Sequence, residues 1–204
     1  MLDAGAGDSP YRRLFNHAQY EAADICKREQ HGYAHVQYIC DLSAIPVEDA
    51  RFDLVLCTQV LEHVPEPQKV LRELHRVLKP GASLWISAPL SFHEHEVPHD
   101  YFRYTQYGWT RMIADAGLEL VAIEWLQGYL GTVAYQLNQA RHYLPSSPRD
   151  YGGGISGALA SAFSLAMRPL LLGAALVYSR LDLRHRYTTG GHPLDYCVVA
   201  RRPK

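Results

Sequence analysis

A strand–helix–strand segment in the middle of the chain constrains the fold more than any other part of the sequence. Residues 52–57 form a mostly apolar run bounded by polar residues, as expected of a strand buried on both faces of a parallel sheet. Residues 67–78 carry apolar side chains at helical spacing and stop at Lys79-Pro80-Gly81, and residues 83–87 form the next apolar strand. Two buried strands joined through a helix predict a parallel pair with a right-handed crossover.

The same alternation of strands and helices runs through most of the sequence. Met1-Leu2 is typical of a strand end, and Pro10 can begin a helix. Further strands are predicted over residues 20–25, 35–40, 118–125 and 195–200, and a further helix over residues 107–116, closed by Gly117. This order predicts an α/β fold, a parallel sheet covered on both faces, with ligands at the carboxyl ends of the strands.

Residues 128–191 depart from the alternation. They begin with turns rich in Tyr and Pro, continue through Gly152-Gly153-Gly154, and end in an apolar segment over residues 155–181. Arg168-Pro169 interrupts that segment and would put a cation and a helix breaker near the middle of a membrane, which disfavours a simple span. We predict two apolar helices flanking Pro169, which could cover the active site, pair two copies or lie in a membrane interface.

Length, charge and cysteine usage limit the classes of function. A chain of 204 residues suits a single domain, here 1–204, with 128–191 as an insertion. A formal net charge of −1 provides no basic field for a polyanion, so nucleic acid is not expected as a partner. The four cysteines form no CxxC pair, and no signal peptide precedes the first loop; a cytoplasmic protein is expected.

A glycine-rich loop and two acids that follow it indicate a nucleotide-like ligand. Gly5 and Gly7 stand between a strand and a helix, where backbone N–H groups can approach a ligand closely. Asp24 lies at the end of the next strand, from which a carboxylate can accept ribose hydroxyls, and Asp41 lies at the end of the third. The third glycine of a dinucleotide fingerprint would fall on Pro10, which counts against a nicotinamide enzyme.

With these features in order, the sequence resembles the class I S-adenosylmethionine-dependent methyltransferases, in particular the type 11 small-molecule branch, over roughly the first 125 residues. Leu2-Asp3-Ala4-Gly5-Ala6-Gly7 is similar to the first motif of that family, and Thr58-Gln59-Val60-Leu61-Glu62-His63-Val64 to the loop after its fourth strand. The segment 71–81 is similar to the helix and turn before its fifth strand.

The resemblance implies a fold, a cofactor and a set of contact residues. The fold is a doubly wound, mostly parallel, seven-stranded Rossmann-like sheet whose last strand is antiparallel, and the cofactor is S-adenosyl-L-methionine. The residues that the resemblance and the loop order assign to the cofactor are Asp3, Gly5, Ala6, Gly7, Asp24, Ile25, Asp41, Leu42, Thr58, Gln59 and His63. Family members usually carry a complete first strand and further helices before it, so we expect the cofactor to bind weakly if that cover is missing.

The loop after the fifth predicted strand is the best candidate for the acceptor side. It contains His93, His95 and His99 among three acids and leads into Tyr101-Phe102-Arg103-Tyr104. A histidine that titrates near neutrality can take a proton from an alcohol acceptor, so we predict His99 or His93 as general base. Tyr101, Arg103 and Tyr104 are predicted to shape the acceptor pocket. Zinc or iron ligation is the alternative interpretation, but the loop lacks cysteine and regular spacing, and no metal is predicted.

The sequence leaves two functions open. The first is methyl transfer to a small molecule, which could be a sugar or a lipid-linked intermediate if the insertion touches a membrane. The second is a non-catalytic binding protein that keeps the fold without productive cofactor use. The acceptor atom and the oligomeric state are not readable from the chain.

Overall fold

The computed structural model describes residues 1–26 and 35–204, and the chain divides into two compact units. One comprises Met1–Glu124 together with Asp195–Lys204, and the other comprises Trp125–Leu194. The prediction that 1–204 forms a single domain stays a prediction.

The first unit is built on a sheet whose seven described strands lie in the order β3-β2-β1-β4-β5-β7-β6. The strands are β1 (Leu2–Ala4), β2 (Glu21–Asp24), β3 (Tyr38–Ile39), β4 (Phe52–Thr58), β5 (Leu78–Pro89), β6 (Glu119–Trp125) and β7 (Asp195–Arg201). Strands β1 to β5 pair in parallel, and β7 pairs antiparallel with β5. The predicted doubly wound, mostly parallel sheet with an antiparallel last strand is confirmed.

Two helices of this unit are α1 (Pro67–Val77) and α2 (Gln106–Asp115). Helix α1 begins with Pro67, whose missing N–H costs nothing in the first turn, and buries Val70, Leu71 and Leu74. Thr105 caps α2 by accepting a hydrogen bond from the Gly108 N–H at 3.1 Å. These helices and the middle strands form the core, in which Val55 and Trp109 are fully buried.

Near Pro10 the structure differs from the prediction. The segment forms only a short 3-10 helix, Arg12–Phe15, in place of a longer helix. It buries no residue and its first turn lacks a side-chain cap, so neither packing nor capping favours further turns.

The second unit consists of helices α3 (Tyr129–Tyr143) and α4 (Gly154–Arg184) with a 3-10 helix, Pro148–Tyr151, between them. Helix α3 was predicted as turns, and α4 as two helices flanking Pro169; both predictions were wrong. Proline removes one hydrogen bond of the helix at a cost of about 3 kcal/mol, and packing against α3 and the 3-10 helix outweighs that cost. The side chain of Arg168 is bonded within the same unit, because its Nη2 donates to the Leu144 carbonyl at 3.0 Å.

Candidate active site at the carboxyl edge of the sheet

The parallel pairing of β1 to β5 brings their carboxyl ends to one edge of the sheet. The register pairs Ala4 with Ala23 and Thr58 with Ser87, so the loops after β1, β2, β4 and β5 start side by side. In a parallel sheet this edge is where ligands bind. The loops that the sequence singled out all leave from it.

The glycine loop turns sharply after β1. Gly5 and Ala6 donate from their backbone N–H groups to the Ala23 carbonyl at 2.8 and 3.2 Å. Gly5 adopts a φ of +78° and Gly7 a φ of +49°, in the left-handed region that glycine enters without steric cost. A Cβ on Gly5 would overlap the side chain of Val60, whereas a Cβ on Gly7 would meet nothing within 4 Å. The loop is therefore packed on one side and open at Gly7.

Asp24 joins the end of β2 to the glycine loop. Its carboxylate accepts from the Gly7 N–H at 2.9 Å and from the Cys26 N–H at 2.7 Å, and the neighbouring Ile25 is exposed. Each carboxylate oxygen keeps acceptor capacity beyond one hydrogen bond. Asp24 can therefore accept ribose hydroxyls while holding the loop.

Asp3 is buried and hydrogen-bonded within the protein, whereas a residue that contacts a ligand has to face the open side of the loop. Its side chain is buried, the Tyr20 hydroxyl donates to it, and burial raises the pKa of its carboxyl group. No described contact directs it toward the open side of the loop, and its role at the cofactor stays a prediction.

Asp41 and Leu42 follow β3 at the same edge. Asp41 is exposed and accepts from the Ser43 N–H at 2.8 Å, while Leu42 is buried. The following segment is held by α1, because Arg76 donates to the carbonyls of Ile45 at 2.9 Å and Val47 at 2.8 Å. An exposed acid beside an apolar wall fits the predicted adenine contact.

The loop after β4 is tied to β5 and β7. Gln59, at a φ of +56°, donates from its backbone to the Ser87 carbonyl at 2.8 Å and from its amide to the Asp195 carboxylate at 3.3 Å. Thr58 ends β4 and is half-buried. These contacts fix both residues at the edge, next to the glycine loop through Val60.

Glu62 is the least expected side chain of the site. It is fully buried, and neither carboxylate oxygen is hydrogen-bonded to another of the described residues. Burial raises its pKa to about 7, against the lowering effects of a hydrogen bond from its own backbone and of the Arg103 charge, while Asp195 and Asp100 raise it further. His63 Nε2 lies 3.8 Å from one oxygen of Glu62 and 3.6 Å from a carboxylate oxygen of Glu96.

The loop between β5 and α2 is organised by Asp100 and Arg103. The guanidinium donates to both carboxylate oxygens, at 2.6 and 2.7 Å, and to the carbonyls of Phe92 and His93 at 3.1 and 2.9 Å. This bidentate pair holds the pKa of Asp100 far below its usual range. Arg103 thus fixes the loop, and the acceptor contact predicted for it stays a prediction.

The other predicted acceptor-side residues divide by exposure. Tyr104 is buried against Trp109 and donates its hydroxyl to the Leu61 carbonyl at 2.6 Å, so its described contacts are structural. Tyr101 is exposed, with its hydroxyl 3.0 Å from His99 Nδ1. His93 is exposed and stacks on Phe92. Both predicted bases therefore lie on the solvent side of the loop.

Three residues of this site were absent from the sequence-based set: Glu62, His95 and Asp100. Glu62 stands beside the predicted His63, and the other two lie in the loop already singled out. Their residue types were visible, but the loop lacked the regular spacing that identifies ligand sets in a sequence. These residues come together because the fold places two segments about 35 residues apart in contact.

A cavity of about 550 Å³ lies elsewhere in the same unit. Its lining includes Met1, Glu21, Arg51, Asp53 and Lys79, which stand at or near the amino ends of the strands. Open sheets of this kind bind ligands at the opposite edge, so we assign it no role in the reaction.

Comparison with known proteins relates part of this chain to a known family. Residues 2–86 match the family model described as a methyltransferase domain. The ubiquinone biosynthesis O-methyltransferase of Coxiella burnetii is 39% identical over 54 residues, which span 26% of this chain and 23% of that protein. The chain is thus matched to under a quarter of that relative's length.

Solved structures share the fold at low sequence identity. The 1,6-didemethyltoxoflavin-N1-methyltransferase of Burkholderia thailandensis, solved with S-adenosylhomocysteine, superposes with a TM-score of 0.57 at 18% identity, covering all of this chain and 70% of that one. The [4+2]-cyclase SpnF superposes with a TM-score of 0.58 at 21% identity, covering 99% and 74%. One fold thus carries different chemistries.

Proposed function

We propose that this chain, whose residues 2–86 match the methyltransferase domain family, binds S-adenosylmethionine at the carboxyl edge of its sheet and methylates a small-molecule acceptor. The observation that carries the proposal is the convergence of the open glycine loop, the Asp24 carboxylate and the exposed Asp41 on that edge. S-Adenosylmethionine supplies a methyl group on a sulfonium, which is transferred by in-line displacement.

The residues fit such a ligand by chemistry and by space. The free side of Gly7 lets a ligand approach the backbone, Asp24 offers oxygens to ribose hydroxyls, and Asp41 with Leu42 offers an acceptor and an apolar wall to adenine. On the acceptor side, His99 and His93 remain the proposed bases for a hydroxyl acceptor, because an imidazole nitrogen can accept a proton.

Cofactor binding is tested by calorimetric titration of S-adenosylhomocysteine into the full chain and two matched variants. Asp24→Asn removes the charged acceptor and is expected to weaken binding roughly 10- to 100-fold. Asp53→Asn makes the same substitution at the amino end of β4, where the carboxylate pairs with Lys79 at 2.8 Å, and should leave binding unchanged. Equal loss in both variants, or none in Asp24→Asn, would refute the assigned site.

Turnover separates the two functions that the sequence left open. Labelled S-adenosylmethionine and a panel of sugar, phenol and lipid-linked acceptors should yield a labelled product, and the single variants His99→Ala and His93→Ala should identify the base by slower turnover. Tight cofactor binding without any product would support the non-catalytic binding protein instead. Normal turnover in both histidine variants would reject these bases.

For the second unit we propose a membrane surface as the partner of α4, so that the acceptor is one found at membranes. Helix α4 is long and apolar enough to cross a membrane by length and composition, because its most apolar stretch of 18 residues has a mean hydropathy of 1.6 and is only 17% buried. Its buried residues are small or polar, namely Gly157, Ser161, Ser164, Ala175 and Asp182. Its large apolar residues point outward, with Leu159 and Phe163 each 67% exposed.

This arrangement is the reverse of a helix in a water-soluble bundle. Small residues between helices with large apolar residues outside are typical of helices packed in lipid. Arg180, Arg184 and Arg186 cluster at the carboxyl end of α4, where they complement anionic headgroups. With one face of α4 packed on α3, we favour attachment in the interface over a span.

Flotation with vesicles containing anionic phospholipid tests this attachment. The chain should co-float, and the double variant Leu159→Glu/Phe163→Glu should not. Leu14→Glu is the matched control, because Leu14 is 70% exposed in the first unit and the variant should still co-float. A chain that stays at the bottom of the gradient and sediments as a dimer would replace the membrane with a second copy.

We propose a cytoplasmic location on the sequence alone, with α4 at the membrane surface.

A further inference from the structure

Three side chains from two separate segments meet at the loop between β5 and α2. Glu62 and His63 belong to a 3-10 helix, Leu61–His63, and His95 belongs to the loop after β5. One ligand atom of each lies within 4.8 Å of the others. The two segments are also joined by the backbone, since the Tyr101 N–H donates to the Glu62 carbonyl at 2.8 Å.

The Glu62 carboxylate is the part of the cluster that the other described residues leave without a hydrogen bond. Its side chain is fully buried, yet neither oxygen is hydrogen-bonded to another residue within 1–26 and 35–204. A buried carboxylate without partners costs several kcal/mol, and proteins meet that cost by protonating the group, by pairing the charge or by binding a metal ion. Two imidazoles beside the carboxylate favour the metal ion here. Arg103, the nearby cation, is already bonded bidentately to Asp100.

Both imidazoles place Nδ1 against an oxygen acceptor. His63 directs Nδ1 at the His99 carbonyl, 2.7 Å away, so Nδ1 carries the proton and Nε2 presents its lone pair. His95 directs Nδ1 at the His93 carbonyl at 3.1 Å and at the Asp100 carboxylate at 3.4 Å, with the same consequence. An oxygen acceptor behind each ligating histidine is the outer-shell pattern of metal sites.

From this geometry we propose that Glu62, His63 and His95 bind a divalent transition-metal ion, with Zn²⁺ or Fe²⁺ as the best matches for two imidazoles and one carboxylate. Atoms within 4.8 Å of one another lie at most about 2.8 Å from a common centre, so each ligand needs to move by at most roughly 0.7 Å to reach a bond length of about 2.1 Å. Glu96, whose carboxylate is 3.6 Å from His63 Nε2, is near enough to become a fourth ligand.

The ion gives His63 a role different from the cofactor contact predicted for it. If the proposed methyl transfer is correct, a hydroxyl acceptor bound to the ion would lose its proton more readily, because a divalent cation lowers the pKa of a bound hydroxyl. Binding of the ion itself does not depend on that reaction.

Titration of chelator-treated full chain with Co²⁺, followed by visible absorption, tests the site without any activity assay. We expect one ion per chain, competition by Zn²⁺, and binding weakened at least about 10-fold in His95→Ala and Glu62→Gln. Glu94→Gln and His75→Ala alter the same residue types outside the cluster and should bind Co²⁺ like the unmodified chain.

Far-UV circular dichroism checks that each variant is folded, and His95→Ala carries the test if Glu62→Gln is not. Absence of stoichiometric binding in the unmodified chain would overturn the proposal. So would equal affinity in His95→Ala, which would leave edge-to-face packing of the His63 and His95 rings, 4.7 Å apart, as the reason for their proximity. Metal binding with no S-adenosylhomocysteine binding would separate this site from the proposed function.

Discussion

Replacement of Gly5 by alanine is the sharpest test of how the glycine loop is built. Gly5 has a φ of +78°, and a Cβ added there would overlap both methyl groups of Val60. Gly7 also has a positive φ, +49°, but a Cβ there meets nothing within 4 Å. The two glycines therefore separate backbone strain from steric overlap within a single loop.

The structure gives a magnitude for each variant. A non-glycine residue in the left-handed region costs about 1–2 kcal/mol, and this applies to both Gly5→Ala and Gly7→Ala. Overpacking against Val60 adds about 1–3 kcal/mol in Gly5→Ala alone. We expect Gly5→Ala to lower the free energy of unfolding by about 2–5 kcal/mol, and Gly7→Ala by about 1–2 kcal/mol.

Urea unfolding followed by fluorescence of the buried Trp109 measures both values in the first unit. The double variant Gly5→Ala/Val60→Ala should recover the part due to overlap, giving a favourable coupling energy in a double-mutant cycle, while the strain from φ persists. Equal losses in Gly5→Ala and Gly7→Ala, or no coupling with Val60, would refute the assigned packing of the loop.

Three further substitutions test other parts of the chain. Tyr104→Phe leaves the buried Leu61 carbonyl without its donor and should cost about 1–3 kcal/mol in urea unfolding, whereas Tyr107→Phe at a 78% exposed position should change little. Arg76 lowers the pKa of Glu73 below its usual 4.5, so the stabilisation by this carboxylate is present above pH 4.5 and is lost as the pH falls through the lowered pKa. The unmodified chain should therefore lose its stability advantage over Glu73→Gln on acidification, and a difference independent of pH would contradict this. In the second unit, a Cβ on Gly128 would overlap the Asp182 carboxylate and lie 2.7 Å from the Tyr187 nitrogen, so Gly128→Ala should lower the melting temperature. Gly173 stands in open space within α4, and Gly173→Ala should raise the free energy of unfolding by up to about 1 kcal/mol.

Local pattern was sufficient for the elements whose period and end signals agree. Strand β4 and helix α1 lie within one residue of their predicted bounds, because an apolar run and a helical stripe ending in a turn are properties of the local chain. Strand β5 is longer than predicted: Lys79-Pro80-Gly81 indicated a turn, yet the strand begins at Leu78 and pairs with Phe52 across an irregularity in register. Pairing with a neighbouring strand overrode the local signal.

The helical unit shows where local pattern failed. The residues of α3 give only a weak helical stripe, and only Thr132 and Ala134 are buried, so no periodicity marked the helix in the sequence. The long α4 contains Pro169, which indicated a break, but its contacts with α3 and the 3-10 helix keep it continuous. In both helices tertiary packing overrode the local signal.

By itself, the sequence determined the alternation of strands and helices, the sheet that follows from it, and which loops leave its carboxyl edge, since these depend on side-chain period and chain order. Only the tertiary structure decided the environment of each side chain at that edge. In the sequence, Glu62 has the pattern of an ordinary charged loop residue, but a segment about 40 positions away covers it. The Tyr101 N–H donates to the Glu62 carbonyl, and the Tyr104 hydroxyl donates to the Leu61 carbonyl. Burial and the pKa that follows from it are set by atoms that meet across the fold, and no local pattern records them.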